Sequence, residues 1–279
     1  MAKLSPLHTE YRKACAQELK FLEKRRDKKD SGLSAMLADK VPAGLQATLD
    51  KAFEKSFALI FEKGTGLIEK TYDKEKIRQD FQLDDYIATV KNDKKSLKTI
   101  SAKADRSSLG NTLVSGVSGA GMGFVGIGLP DIAVFTALML KNLYQLSAKY
   151  GYDYEKEEEK QFILMLIQGA FSYGEQLLEI NDRINSFIHN KVFLNGINIS
   201  ENITKTAACL SSEMLYLKFL QGIPLVGAVG GGYDAVYMNR INSYANMKYN
   251  YRYLIAERTG FPFEDYDELG MGSTIAEGN

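Results

Sequence analysis

The chain has 279 residues, 45% of them apolar, and its 35 acidic and 35 basic residues balance to a net charge of zero. This length can bury a sizeable core, and the neutral balance argues against nucleic acid as a partner. Two histidines and two distant cysteines are too few for a metal site built on these residue types. No apolar stretch typical of a secretory signal is found in the charged first thirty residues, so we expect a cytoplasmic protein.

The first predicted helix is amphipathic and ends in a basic cluster. Its apolar positions recur at three- and four-residue spacing: Leu4, Leu7, Tyr11 and Leu22. Basic residues concentrate between Lys20 and Lys29. We assign residues 1–40 to this helix and a linker, and predict that the helix meets an anionic membrane surface, at its inner face, or a membrane-protein partner. A plain solvated face is the alternative.

Further helices follow before the first glycine-rich stretch. Pro42 suits the first turn of a helix, because its fixed backbone angle is already helical. The apolar face of this helix is formed by Leu45, Leu49, Phe53, Phe57, Ile60 and Phe61. A short helix is predicted over 83–90.

The helix signals are strongest after residue 130. Pro130 is predicted to open an apolar helix that runs to about Tyr150, with Gly151 as its C-terminal cap. Asp153 is predicted to cap the next helix, and the charged run 155–160 to form its solvated first turn.

Three more helices complete the prediction. One spans about 177–188, a second is capped by Ser200 and reaches Leu220, and the last runs from Pro224 to about Glu257. Tyrosines at seven-residue spacing indicate a packed face on the last helix: Tyr237, Tyr244 and Tyr251. Residues 259–279 are interpreted as a loose acidic tail.

The stretch GMGFVG at 121–126 matches the letters of a dinucleotide-binding fingerprint. That fingerprint needs a preceding strand and an acidic residue about 20 positions on, and this chain offers neither. At helical spacing the glycines instead predict close helix packing against a second glycine-rich stretch at 222–236. The packing positions are Gly116, Gly119, Gly123, Gly227 and Gly231. The predicted fold is all-α, one domain (41–258) with two glycine-rich helices, near 108–127 and 224–258, at its centre.

Each glycine-rich stretch is nearly free of charge and keeps one acid. Asp131 is the only charged residue between Ser107 and Leu140, and Asp234 the only one between Phe219 and Asn239. If the stretches pack together, both carboxylates enter one apolar region and need a donor such as Arg240 or Lys141. The alternative for Asp131 is a plain charge favoured by the helix N-terminus.

Several segments in this order resemble the EcsC protein family. They are KVPAGLQATLDKAFEKSFALIFEKGTGLIEKTY, the step GLPDIAVF, the corner YGYD at 150–153, and GIPLVGAVGGGYDAVYMNRI. The family is named for a companion of a bacterial ABC transporter. The resemblance therefore implies a bacterial, membrane-associated protein with an ABC transporter nearby.

Three functions stay open at this point. The first is a non-enzymatic helical protein, peripheral to the membrane, that acts through a protein or lipid partner without a cofactor. The second is a protein that binds a lipid or other apolar ligand between its glycine-rich helices. The third is a hydrolase that uses Asp131 and Asp234 with Mg²⁺ or Mn²⁺, which oxygen ligands suit better than Zn²⁺.

Overall fold

The computed structural model describes residues 5–26, 44–62, 66–110, 130–193, 196–220 and 233–256. Inside its helices, the side chains of 66–67, 105–110, 130–131, 216–220, 233–235 and 256 lie outside that description. The described residues form α-helices and short connections in a single helical domain, as the sequence predicted.

Nine long helices and one single turn make up the described fold. They are α1 Pro6–Lys24, α2 Leu45–Glu62, the single turn α3 Gly66–Glu69, α4 Lys74–Lys91, α5 Lys94–Gly110, α6 Pro130–Lys149, α7 Glu157–Phe171, α8 Gly174–Asn190, α9 Ile199–Leu220 and α10 Tyr233–Ala256. Helix α7 lies at the centre, and every residue from Gln161 to Phe171 is buried. It packs against α8, α9 and α10, while α6 packs against α2, α4 and α10.

Local polar contacts explain where several helices begin. The Ser5 hydroxyl accepts a hydrogen bond from the His8 N–H at 3.1 Å and caps α1. Asp73 caps α4 through the Lys76 N–H at 2.9 Å, and Asp93 caps α5 through the Ser96 N–H at 2.7 Å. Each cap satisfies an N–H that the first helical turn leaves without a partner.

The C-terminal end of α6 confirms the predicted glycine cap. Gly151 has a φ of +78°, which a residue without a Cβ adopts at low cost. The Tyr152 N–H donates to the Ser147 carbonyl and the Gly151 N–H to the Ala148 carbonyl, both at 3.0 Å. This pair of bonds is the Schellman arrangement that closes a helix.

Two predicted N-terminal caps were wrong by a few residues. Helix α7 begins at Glu157, and Asp153 instead accepts from the Glu155 N–H at 3.2 Å in the preceding turn. Helix α9 is capped by Asn198, whose Oδ1 accepts from the Glu201 N–H at 3.0 Å. Asn198 competes well with a serine two residues later, since asparagine is an equally good cap.

Helix α10 is lined with buried tyrosines, which confirms the predicted packed face. Its five most buried phenols belong to Tyr237, Tyr244, Tyr249, Tyr251 and Tyr253, each at most 2% exposed. They pack against aromatic rings from α1, α4, α6 and α7. Buried phenols need hydrogen-bond partners, so this helix also collects polar groups from its neighbours.

Helices α4 and α5 differ most from the sequence expectation. The short helix predicted over 83–90 is the second half of the 18-residue α4. Helix α5 was not predicted, because seven lysine, serine and threonine residues between Lys94 and Lys103 hide its apolar positions. Leu97, Ile100 and Ala104 recur at helical spacing and are buried.

The predicted packing of the glycine-rich stretches concerns residues outside the described part of the chain. Residues 111–129 and 221–232 lie outside the described residues. Gly116, Gly119, Gly123, Gly227 and Gly231 all fall in these ranges, so their close packing stays a prediction.

Candidate functional site

Three buried ion pairs attach α10 to the helices around it. They join Lys248 to Glu18, Arg240 to Glu213, and Arg252 to Glu159. All six side chains are at most 13% exposed. Buried charges must be paired and hydrogen-bonded to be tolerated, so the surroundings of each pair decide whether any charge is left over for a ligand.

The Glu18–Lys248 pair lies between α1 and α10. Glu18 Oε1 accepts from Lys248 Nζ at 2.9 Å and from the side-chain amides of Asn181 and Asn185 at 2.6 and 2.7 Å. Burial acts to raise the pKa of Glu18, but the Lys248 charge and these hydrogen bonds outweigh it and leave the pKa below its ordinary value. Burial also lowers the pKa of Lys248, against the opposing effect of Glu18.

The Glu213–Arg240 pair lies between α9 and α10. Arg240 NH1 donates to Glu213 Oε1, NH2 donates to the Tyr173 hydroxyl at 2.6 Å, and Nε donates to the Ala170 carbonyl at 2.7 Å. The Tyr173 hydroxyl in turn donates to Glu213 Oε1 at 3.1 Å. Arg240 was a predicted donor for Asp131 or Asp234, and the structure places it in this network.

A second guanidinium, Arg25, joins the same cluster from the end of α1. Its NH1 donates to the Ala170 carbonyl at 2.7 Å, and its carbon lies over the rings of Phe21 and Tyr173 at 4.5 and 5.3 Å. Burial, followed by the nearby Arg240 charge, lowers the pKa of Arg25 to about 10, which leaves it charged at neutral pH. One member of the predicted basic cluster therefore points into the fold.

The Glu159–Arg252 pair corrects the prediction for the charged run 155–160. Glu159 was expected on a solvated helix start, yet it is 3% exposed. Its Oε2 accepts from Arg252 NH1 at 2.6 Å, and its Oε1 accepts from Tyr249 at 2.5 Å and Ser147 at 3.0 Å. Helical spacing in the sequence indicates this burial, because Glu159 shares a helix face with the buried Phe162 and Leu166.

The remaining predicted site residues are only partly described. Asp131 and Asp234 lie in the first turns of α6 and α10, and their side chains are outside the described set. Lys141 is 5% exposed, and burial lowers its pKa. A joint site of these residues stays a prediction. Among the described residues, no group of three His, Cys, Asp or Glu could hold a metal ion.

Helix α4 carries an exposed apolar surface. Leu83, Tyr86 and Val90 are 58%, 67% and 63% exposed. Their spacing of three and four residues places them on one side of the helix. The neighbouring positions Gln79, Gln82 and Thr89 are exposed and uncharged. Leu83, Tyr86 and Val90, called the α4 stripe below, therefore form a solvent-facing apolar strip.

Four exposed lysines follow this strip in the chain, on both sides of the α4–α5 turn. Lys91, Lys94, Lys95 and Lys98 are exposed, and none forms an ion pair with a described residue. The last three border a shallow open groove of about 420 Å³ with Thr99 and Ala102. The four lysines, Lys91 at the end of α4 and Lys94, Lys95 and Lys98 in α5, are together called the α5 lysines below. The combination of bare apolar side chains and unpaired positive charge is typical of binding sites for an anionic, partly apolar surface.

The predicted basic cluster of α1 contributes a smaller positive surface. Lys20, Lys24 and Arg26 are exposed, with Glu23 among them, while Arg25 is directed inward. The exposed large apolar residues of the described chain include none in α1.

Comparison with known proteins identifies a family for most of the chain. The model of the EcsC protein family matches residues 8–254, a range that begins within α1 and ends within α10. No curated protein and no solved structure matches the chain. Among the described residues, no helix is both long and apolar enough to cross a membrane.

Proposed function

The chain belongs to the EcsC protein family, and on that premise we propose that it is a non-enzymatic protein that binds the surface of an anionic membrane. An association with an ABC transporter, implied by the family's name, remains an expectation about the partner found there.

The distribution of charge supports this proposal. Inside the described fold, three buried cations lie against buried carboxylates: Lys248 on Glu18, Arg240 on Glu213 and Arg252 on Glu159. Reactive sites usually leave a carboxylate or amine with a strongly shifted pKa in a cleft that substrate can enter. These clusters instead tie helices together, so they serve stability.

Positive charge that has no ion-pair partner among the described residues lies on the outside of the fold. The α5 lysines and the exposed end of α1 face solvent, and each lysine or arginine near an anionic bilayer contributes about 1 kcal/mol of attraction. The single observation on which the proposal depends is that the exposed lysines follow the exposed apolar side chains of α4 directly in the chain, at the α4–α5 turn. A surface of this kind gains both electrostatic and hydrophobic free energy at a lipid headgroup layer.

Sedimentation of the full-length protein with vesicles tests the proposal. We expect the protein to pellet with phosphatidylglycerol-containing vesicles at low ionic strength and to remain in the supernatant with pure phosphatidylcholine. Raising the salt concentration should release part of the bound protein, because salt screens the lysines but not the apolar contact. Equal, weak recovery with both kinds of vesicle would rule out membrane binding as its function.

A further inference from the structure

We propose that the hairpin of α4 and α5 is the surface that docks on the membrane, with the α4 stripe inserted among anionic lipid headgroups and the α5 lysines on their phosphates. This inference rests on the function proposed above and specifies the site and the ligand class: a bilayer with anionic headgroups.

Helix α4 has two apolar sides, and the described part of the fold buries only one of them. On the inner side, Ala88 is fully buried and Phe81 packs edge-on against Tyr253 with ring centroids 6.2 Å apart. On the outer side, the α4 stripe spans eight residues from Leu83 to Val90, or about 10 Å along the helix axis. Amphipathic helices that lie in a membrane interface bury an apolar face of this kind to a depth of about 5–10 Å.

Three acidic residues of the hairpin are engaged within the fold, and two others, Glu75 and Asp80, are exposed in the first half of α4, away from the α4–α5 turn. Asp84 pairs with Lys103 at 2.7 Å, Asp85 accepts from the Tyr253 hydroxyl at 2.6 Å, and Asp93 caps α5. The α5 lysines make no such pairs with described residues, so this end of the hairpin presents a net positive surface. An anionic headgroup layer attracts the positive charge, and the acyl chains below it accept the exposed apolar side chains.

The same charges argue against a second copy of this chain as the occupant. A symmetric pair formed through the α4 stripe would place identical patches against each other. The pair would gather eight α5 lysines, four from each copy, in one assembly, and their mutual repulsion costs free energy at low ionic strength. An acidic protein carries the same complementary charge, and the experiment below separates it from lipid because lipid is the only binding partner that the experiment offers.

The α1 cluster provides an internal comparison for the hairpin. Lys20, Lys24 and Arg26 are similarly exposed, but no large apolar side chain of α1 is exposed beside them in the described structure. If charge alone brought the protein to the membrane, both clusters would contribute to the binding free energy in proportion to their charge. If apolar insertion is also required, the hairpin dominates.

Vesicle binding of full-length variants tests this assignment. One variant joins Leu83→Gln, Tyr86→Gln and Val90→Gln; another joins Lys91→Gln, Lys94→Gln, Lys95→Gln and Lys98→Gln. We expect each to weaken binding to phosphatidylglycerol vesicles at least about tenfold, because each removes several favourable contacts. Glutamine favours helix and all seven sites are exposed, so the thermal unfolding of both variants should match the wild type.

Two control variants change similar residues elsewhere. Leu178→Gln with Val192→Gln removes exposed apolar side chains from α8 and the turn after it, and Lys20→Gln, Lys24→Gln and Arg26→Gln reduces the charge of α1. We expect the first control to bind as the wild type does, and the second to lose less than about threefold.

The possible outcomes separate the two proposals. Wild-type binding that survives in both hairpin variants would overturn the hairpin assignment and leave membrane binding standing. No binding by the wild-type protein would remove both. A wild-type dimer in lipid-free light scattering that the α4-stripe variant loses would show that the face binds a second copy, and would also overturn the assignment.

Discussion

Glu18 and Lys248, which lie 230 residues apart in the chain, form an ion pair at 2.9 Å in the interior between α1 and α10. Both side chains are at most 2% exposed. Two asparagines of α8 donate to the same carboxylate oxygen, so three helices meet at one charge. The Glu18 carboxylate therefore attaches α1 to α8 and α10 in the core.

Lys248→Met is expected to destabilise the fold strongly. It leaves the Glu18 carboxylate buried without a cation, and breaking one side of a buried pair costs about 3–5 kcal/mol. Urea denaturation followed by circular dichroism measures this loss. The matched double variant Glu18→Gln with Lys248→Met keeps an oxygen for the two asparagines and removes the charge. It should recover most of the stability, and a double variant as unstable as the single one would show that the pair is not the cause.

Gly169→Ala is expected to destabilise the contact between α7 and α10. An added Cβ would lie 2.6 Å from Cε1 and 2.7 Å from the hydroxyl of Tyr244, a ring that is fully buried. Overpacking of this kind costs about 1–3 kcal/mol, against a gain of about 1 kcal/mol from alanine in a helix. Thermal unfolding should show a lower midpoint.

The second change Tyr244→Leu tests the reason for that loss. It removes the ring that the new methyl group would meet, so Gly169→Ala should cost less in this background than in the wild type. Equal costs in both backgrounds would mean that the ring and the glycine do not compete for space.

Asn242→Leu is expected to stabilise the protein. Asn242 is 4% exposed, and neither its Oδ1 nor its Nδ2 has a hydrogen-bond partner. A buried polar group in this state costs about 1–3 kcal/mol, which a leucine of similar size does not incur. A higher urea midpoint is the expected result. A clear loss of stability would indicate that the amide holds an ordered water molecule in solution.

Lys149 should make stability depend on pH above neutrality. Burial lowers its pKa from 10.5 to about 8 in the folded protein. Between these values the unfolded chain binds more protons, so this residue's contribution to stability rises with pH from about 8 to about 10. Lys149→Met should therefore raise the melting temperature at pH of about 7 and raise it less at pH of about 9.5. A gain that is the same at both pH values would show that Lys149 titrates normally.

The sequence predicted the helical architecture because helix boundaries depend on local chemistry. Pro130 at the start of α6 and Gly151 after its end both lie where the sequence placed them, since each residue type has a specific backbone preference. The predicted position of a helix cap was wrong where two suitable residues compete, as Asn198 and Ser200 do. In such cases the tertiary contacts decide which of the two residues caps the helix.

The buried charges and the α4 stripe could not be predicted in the same way. Glu159 belongs to a run of glutamates, and only the approach of Arg252 from α10 makes its burial tolerable. Leu83, Tyr86 and Val90 have the spacing of a core face, and the pattern alone would place them inside. Their exposure depends on which side of α4 the rest of the fold covers.

Fluorescence of a single introduced tryptophan tests the membrane account most directly, because the chain has none of its own. Tyr86→Trp places the reporter in the α4 stripe, and Leu178→Trp places a control on the exposed side of α8. The account predicts a blue shift and quenching by brominated lipid for Tyr86→Trp on adding phosphatidylglycerol vesicles, with neither for Leu178→Trp. An unchanged spectrum for Tyr86→Trp while the protein sediments with the vesicles, or equal changes at both positions, would contradict it.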